Sequence, residues 1–146
     1  MKFLVINGPN LNLLGLREPA IYGSRSFAAL QDFIRASAAE AGVEVDLFQS
    51  NHEGAIVDAI QAAYGTADGI VINPAAYTHT SVALLDAVKA VGIPTVEVHV
   101  SDPDSREDFR HVSYIRAACI ATIRGHGLPG YLEALHLLCE RGEGRG

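Results

Sequence analysis

The 146-residue sequence predicts an α/β fold, a doubly wound, five-stranded parallel sheet with helices on both faces. Two observations carry that expectation. Short runs rich in β-branched residues alternate with stretches whose apolar residues recur at helical spacing. The runs at 3–6 and 69–72 carry no polar side chain, which is the pattern of strands covered on both faces.

The elements follow in order. Residues 3–6 (Phe-Leu-Val-Ile) form a first strand, ended sharply by Asn7-Gly8-Pro9-Asn10. Phe27, Leu30, Ile34, Ala38 and Ala41 share one helical face, in a helix that starts near Ser26 and stops at Gly42. Residues 43–48 give a second strand, and Ile56, Val57, Ile60 and Ala63 a second helix ending at Gly65. Residues 69–72 form a third strand closed by Asn73-Pro74. Val82, Leu85, Val88 and Val91 mark a third helix, ended by Gly92 and Pro94. Residues 95–100 and 117–123 read as strands four and five, and Tyr131, Leu135 and Leu138 as a final helix. The glycine-rich, charged residues 141–146 are expected to fray. The whole reads as a single domain over residues 1–146. Right-handed crossovers turn this alternation into a flavodoxin-like layout.

Composition narrows the function classes. Eleven basic and seventeen acidic residues give a net charge of −6. That balance argues against a nucleic-acid partner, which wants a basic face. It leaves room for a small anionic ligand held by a few local arginines. Cys119 and Cys139 show neither metal nor redox spacing and read as buried small residues. No apolar run reaches the length of a membrane span, and the amino-terminal run is too short for a secretion signal. The expected setting is cytoplasmic.

In such sheets ligands bind at the carboxyl ends of the strands. There the first strand exits into Asn7, Asn10, Asn12, Arg17 and Tyr22. The second exits into Ser50-Asn51-His52-Glu53, the third into Asn73, Tyr77, Thr78, His79, Thr80 and Ser81, and the fourth into His99, Ser101 and Asp102. The first loop is about eighteen residues long, where 2–6 is usual, and loops of such length are often lids. Its glycines and prolines suit a hinged lid carrying Arg17 and Tyr22. A guanidinium beside a phenol stabilises phenolate, which makes a base for work near neutrality. By type and position alone, Arg17 also fits a solvated cation, Tyr22 a packing residue and His99 a core histidine bonded to backbone.

The run Gly8-Pro9-Asn10-Leu11-Asn12-Leu13-Leu14-Gly15, with Arg17-Glu18-Pro19 and Ile21-Tyr22-Gly23, resembles the signature of the type II 3-dehydroquinate dehydratases. Asn51-His52-Glu53-Gly54 and Asn73-Pro74-Ala75-Ala76-Tyr77-Thr78-His79-Thr80-Ser81 are similar to two further blocks. Pro94-Thr95-Val96-Glu97-Val98-His99, Phe109-Arg110-His111 and Gly130-Tyr131 extend the likeness over nearly the whole chain. The resemblance implies dehydration of 3-dehydroquinate to 3-dehydroshikimate through an enolate, in the shikimate or quinate pathway. It implies Tyr22 as base with Arg17 beside it, His99 as acid, and Asn12 at the enolate oxygen through a water. Glu97 lies two residues from His99 on one strand, hence on the same face, where a carboxylate can orient the imidazole. Asn73, His79, Val100, Ser101 and Arg110 are implied to hold the substrate, and Asp86 to approach from a neighbouring subunit. The family uses no metal and no organic cofactor and assembles as a homododecamer, a tetramer of trimers.

Asp102, Pro103-Asp104-Ser105 and His111-Val112 depart from the family pattern. They motivate a rival reading, a non-catalytic binding or scaffold protein that keeps the fold. A flavodoxin-like electron carrier is a second rival. It wants a hydroxyl-rich phosphate loop after the first strand, where this chain has an Asn/Leu-rich one and no Trp.

Overall fold

The computed structural model describes residues 1–16, 26–102 and 105–145. Among these, the strands are β1 (Lys2–Asn7), β2 (Glu44–Gln49), β3 (Gly69–Asn73), β4 (Thr95–His99) and β5 (Ala121–Arg124). The helices are α1 (Phe27–Ala41), α2 (Glu53–Ala62), α3 (Val82–Val91) and α4 (Pro129–Arg145). The five strands form one parallel sheet in the order β2-β1-β3-β4-β5. This is the flavodoxin-like order, with its switch point between β1 and β3.

β3 and β4 are buried at every position, so both of their faces must be apolar or internally paired. β2 is an edge strand, and it exposes Glu44 and Asp46. Successive residues of a central strand serve opposite layers. Val5, Val71, Val96 and Val98 pack with Leu30, Ile34, Tyr131 and Leu135 under α1 and α4. Ile6, Ile70 and Ile72 pack with Ile56, Ile60, Leu84 and Val88 under α2 and α3. Each large aliphatic side chain so buried stabilises the fold by about 1.5–3 kcal/mol.

The helix ends are written locally. Ser26 Oγ accepts the Ala29 N–H at 3.1 Å and Ser81 Oγ the Leu84 N–H at 3.0 Å, capping α1 and α3. Gly42 and Gly92 close the same helices at φ 74° and 65°, left-handed positions that favour glycine.

The fifth strand differs from expectation. Residues 117–123 do not form one run. A 3₁₀ turn at Ile115–Ala118 precedes β5, which starts at Ala121. Ile115 is buried against the α2/α3 layer, and Ile120 N–H reaches the Thr95 carbonyl at 2.8 Å. Tertiary burial of Ile115 therefore overrides the continuous apolar run that read as strand. Cys119 and Cys139 are half-buried rather than buried. α4 continues through the terminal glycine-rich run to Arg145. No described helix is long and apolar enough to cross a membrane.

Candidate active site

The carboxyl ends of β1, β3 and β4 open into a cavity of about 210 Å³. Six predicted site residues line it: Asn73, His79, His99, Val100, Ser101 and Arg110. A larger open groove of about 520 Å³, between Phe48 and Ala59, holds none of them. The smaller cavity is the candidate site, because the titratable and hydrogen-bonding groups converge there.

His99 and Glu97 alternate with Val96 and Val98, so the pair faces away from the α1/α4 core. His99 Nε2 lies 2.5 Å from Glu97 Oε2. This bond leaves Nδ1 as the ring nitrogen that can serve the cavity. Glu97 is fully buried and no charge could sit there unpaired. Thr78 and Ser113 hydroxyls donate to Oε2 at 3.0 and 2.9 Å. Thr122 Oγ1 and Arg116 Nε each donate to Oε1 at 3.1 Å. Burial alone would raise the Glu97 carboxyl, but the bonds from His99 and Arg116 outweigh it and hold it well below the usual carboxylate range. Glu97 is thus a fixed anion behind the imidazole.

His79 Nδ1 donates to the Val112 carbonyl at 2.7 Å. Burial pushes His79 below the ordinary histidine value, and the Arg110 and His99 charges add to that against the raising effect of the Val112 bond. A neutral His79 then presents Nε2 as an acceptor for a hydroxyl. Arg110 Nε binds Glu107 at 2.5 Å, which sets the direction of its guanidinium.

The β1/β3 floor is neutral. Tyr131, fully buried on α4, donates to Asn7 Oδ1 at 2.6 Å and accepts from Asn73 Nδ2 at 3.1 Å. Burial pushes its phenol far up, so it stays a phenol. Asn73 Oδ1 in turn accepts the Ala75 N–H at 3.1 Å. That bond helps hold Ala75 at φ 53°, a left-handed conformation unusual for alanine, on the cavity wall. Gly8 packs against this turn, and a Cβ there would meet the Pro74 carbonyl oxygen at 2.5 Å. Hence only glycine lets the first loop approach so closely.

Other predicted residues lie elsewhere. Asn12 is exposed on a 3₁₀ turn (Leu11–Leu13), outside the cavity lining, where its Oδ1 is 3.4 Å from Gln49 Nε2. Asp86 is exposed on α3, also outside the lining. Arg17 and Tyr22 lie outside the described residues, as do Pro103 and Asp104. Glu53 sits in the first turn of α2, where a carboxylate suits the helix dipole. Asp102 is not among the cavity residues, and its carboxylate lies 3.8 Å from Arg124 Nε. Sequence reasoning kept Arg106 in the family pattern without giving it a site role, though it lines the cavity, and passed over Gln49, whose amide reaches Gly8 O at 3.2 Å and Asn51 Oδ1 at 3.3 Å. Arg106 follows the fourth strand by only a few residues, which was a usable signal. Gln49 offered none. Among the described residues no cluster of three or more His, Cys, Asp or Glu could hold a metal ion.

The dehydroquinase class II family matches residues 1–139. The chain belongs to that family. It is 55% identical over 137 residues to a 3-dehydroquinate dehydratase of Corynebacterium glutamicum (strain R), covering 94% of each chain. It is 56% identical over 140 residues to one of Caldicellulosiruptor bescii, covering 95% of this chain and 97% of the other. The crystal structure of a type II dehydroquinase from Butyrivibrio crossotus superposes with a TM-score of 0.93 at 50% identity, over 95% of this chain and 97% of that one. The class II dehydroquinase fold thus places its polar strand ends in this chain around the His99 cavity.

Proposed function

We propose that this chain is a type II 3-dehydroquinate dehydratase, a hydro-lyase of the shikimate or quinate pathway. The single observation that carries the mechanism is His99, held at 2.5 Å by a buried, ionised Glu97 at the wall of a polar cavity. Tyr22, as phenolate beside Arg17, removes the proton from the carbon next to the ketone. The electron pair moves into an enolate, whose oxygen Asn12 stabilises through a water. The enolate then re-forms the ketone, the carbon–carbon double bond forms, and the carbon–hydroxyl bond breaks. The His99 imidazolium gives its Nδ1 proton to the departing hydroxyl, which leaves as water. Glu97 supports the second proton of that ring on Nε2. No metal, organic cofactor or Schiff base takes part.

Asn73 and His79 suit the substrate hydroxyls, with Arg110 beside them. The backbone at Val100 and Ser101 suits its carboxylate. Asp102, directed at Arg124, adds little repulsion to an incoming anion. The assembly is proposed to be a homododecamer, a tetramer of trimers in the cytoplasm, in which Asp86 completes a neighbour's site. Light scattering tests this: a monomeric mass with full activity would sink the assembly and the role of Asp86 together.

The activity test is growth of enone absorbance when 3-dehydroquinate is added to EDTA-treated protein. Growth that persists after borohydride treatment supports a metal-free dehydratase without a Schiff base. No growth at high protein concentration would overturn the reading in favour of a retired enzyme.

A further inference from the structure

Glu97 is gripped from two sides. On the cavity side is His99 Nε2. On the far side is Arg116, with Nε 3.1 Å from Oε1 and Nη2 3.4 Å from Oε2. The proposed mechanism uses the first contact and gives no job to the second. Arg116 reaches Glu97 because the 3₁₀ turn at Ile115–Ala118 replaces the start of the expected fifth strand and sets the guanidinium beside β4. Its side chain is about one third exposed, whereas that of Glu97 is fully buried.

The charge count decides what this contact does. A carboxylate alone behind an imidazole forms an ion pair with the protonated ring and makes it a poor acid. Here the carboxylate is already neutralised by a permanent cation. The protonated ring then faces a neutral pair, and the anion orients it without holding its proton tightly. We propose that Arg116 is a positioning residue for the acid step: it pins and neutralises Glu97 from behind, so that His99 is aligned by a carboxylate yet still yields its proton to the departing hydroxyl. This rests on His99 being the acid of the proposed reaction.

Other charged or titratable groups also face this pair. From the turn after β3 comes His79, from the segment after β4 come Arg106 and Arg110, and beside Arg116 lies Cys119. Cys119 is pushed up to about 12 by burial and by Glu97, so it carries no charge near neutrality. The cavity arginines are the same in wild type and variants, so they do not alter the comparison.

The test is the pH profile of kcat for wild type, Arg116→Gln, Arg116→Lys and the double variant Glu97→Gln/Arg116→Gln, with NMR titration of labelled His99 in each. Removing the Arg116 charge leaves Glu97 unopposed. The limb on which activity falls as His99 loses its proton should move to higher pH by about one unit or more. The plateau rate should fall, because the acid is weaker. Arg116→Lys should restore most of both. The double variant again presents His99 with a neutral pair, so its limb should lie near that of wild type. A limb that stays put in Arg116→Gln while the melting temperature drops would make Arg116 merely structural and overturn the proposal. Should Arg116→Gln fail to fold, the double variant, which strands no buried charge, decides. A limb shifted down by a unit or more would mean that Glu97 had acted on His99 unopposed, and the proposal would fall. Failure of the underlying reading looks different: wild-type protein would not turn over 3-dehydroquinate, or the limb would not follow the NMR titration of His99.

Discussion

Two buried polar clusters sit at the same edge of the sheet, a few residues apart, and they behave as opposites. On the β4 side, Glu97 gathers His99, Thr78, Ser113, Thr122 and Arg116 into an ionised network. On the β1/β3 side, Tyr131 joins Asn7 to Asn73 with neutral groups only. Both are fully satisfied, and no described buried side-chain polar atom lacks a partner. The difference lies in what can move. The Glu97 network contains the imidazole of His99, the acid of the proposed reaction, at the wall of the cavity. In the neutral network burial forbids ionisation of Tyr131. One cluster therefore carries the proton transfer proposed above, and the other ties the strand ends and the Ala75 turn beside the cavity.

Four substitutions would break or sharpen that contrast. Tyr22→Phe removes the proposed base and should lower kcat roughly 10²–10⁴-fold, with substrate binding by calorimetry nearly unchanged. Turnover at the wild-type rate would show the base to be misassigned. His99→Ala should cost a similar or slightly smaller factor in dehydration while sparing solvent exchange of the α-proton, read by mass spectrometry in heavy water. Equal loss of both activities would remove His99 from the acid role.

The next effects concern stability. Glu97→Gln leaves Arg116 without its anion and should cost about 3 kcal/mol, near the low end for breaking a buried pair because Arg116 is partly solvated. The pH dependence has a definite sign. The folded-state value of Glu97 is depressed from its ordinary 4.5, so its stabilisation is complete above that value and is lost as pH falls below it. Wild type should melt at progressively lower temperature in that acid range, and Glu97→Gln should flatten the slope. An unchanged slope would mean that other carboxylates dominate acid unfolding.

Tyr131→Phe should have the smallest effect, a loss of about 1–3 kcal/mol in urea unfolding from one unpaired Asn oxygen and amide. That loss should not vary between pH 5 and 8, and KM should rise more than kcat falls, because Asn73 loses an anchor. A pH-dependent loss would show that the neutral cluster is not neutral.

The contrast also marks what could be read in advance. The alternation of apolar runs determined the elements, and the caps at Ser26, Gly42 and Gly92 were local signals, so the flavodoxin-like sheet followed from the sequence. The Glu97–His99 pair was legible as well, since period-two spacing on one strand puts both side chains on one face. Arg17 and Tyr22 were legible as types in a long loop, and the roles proposed for them rest on the family resemblance.

Three arrangements were decided only by the tertiary structure. Tyr131 meets Asn7 across 124 residues of chain. Arg116 reaches Glu97 because burial of Ile115 replaced the start of an expected strand with a turn. Asp102, a departure from the family pattern just after β4, lies 3.8 Å from Arg124 Nε. The sequence by itself determined which segments become strands and helices and which chemical types stand at their ends, because those signals repeat within a few residues. Which buried polar group meets which was left to the packing of distant elements, because a desolvated charge or amide takes whatever partner the finished fold brings within about 3 Å.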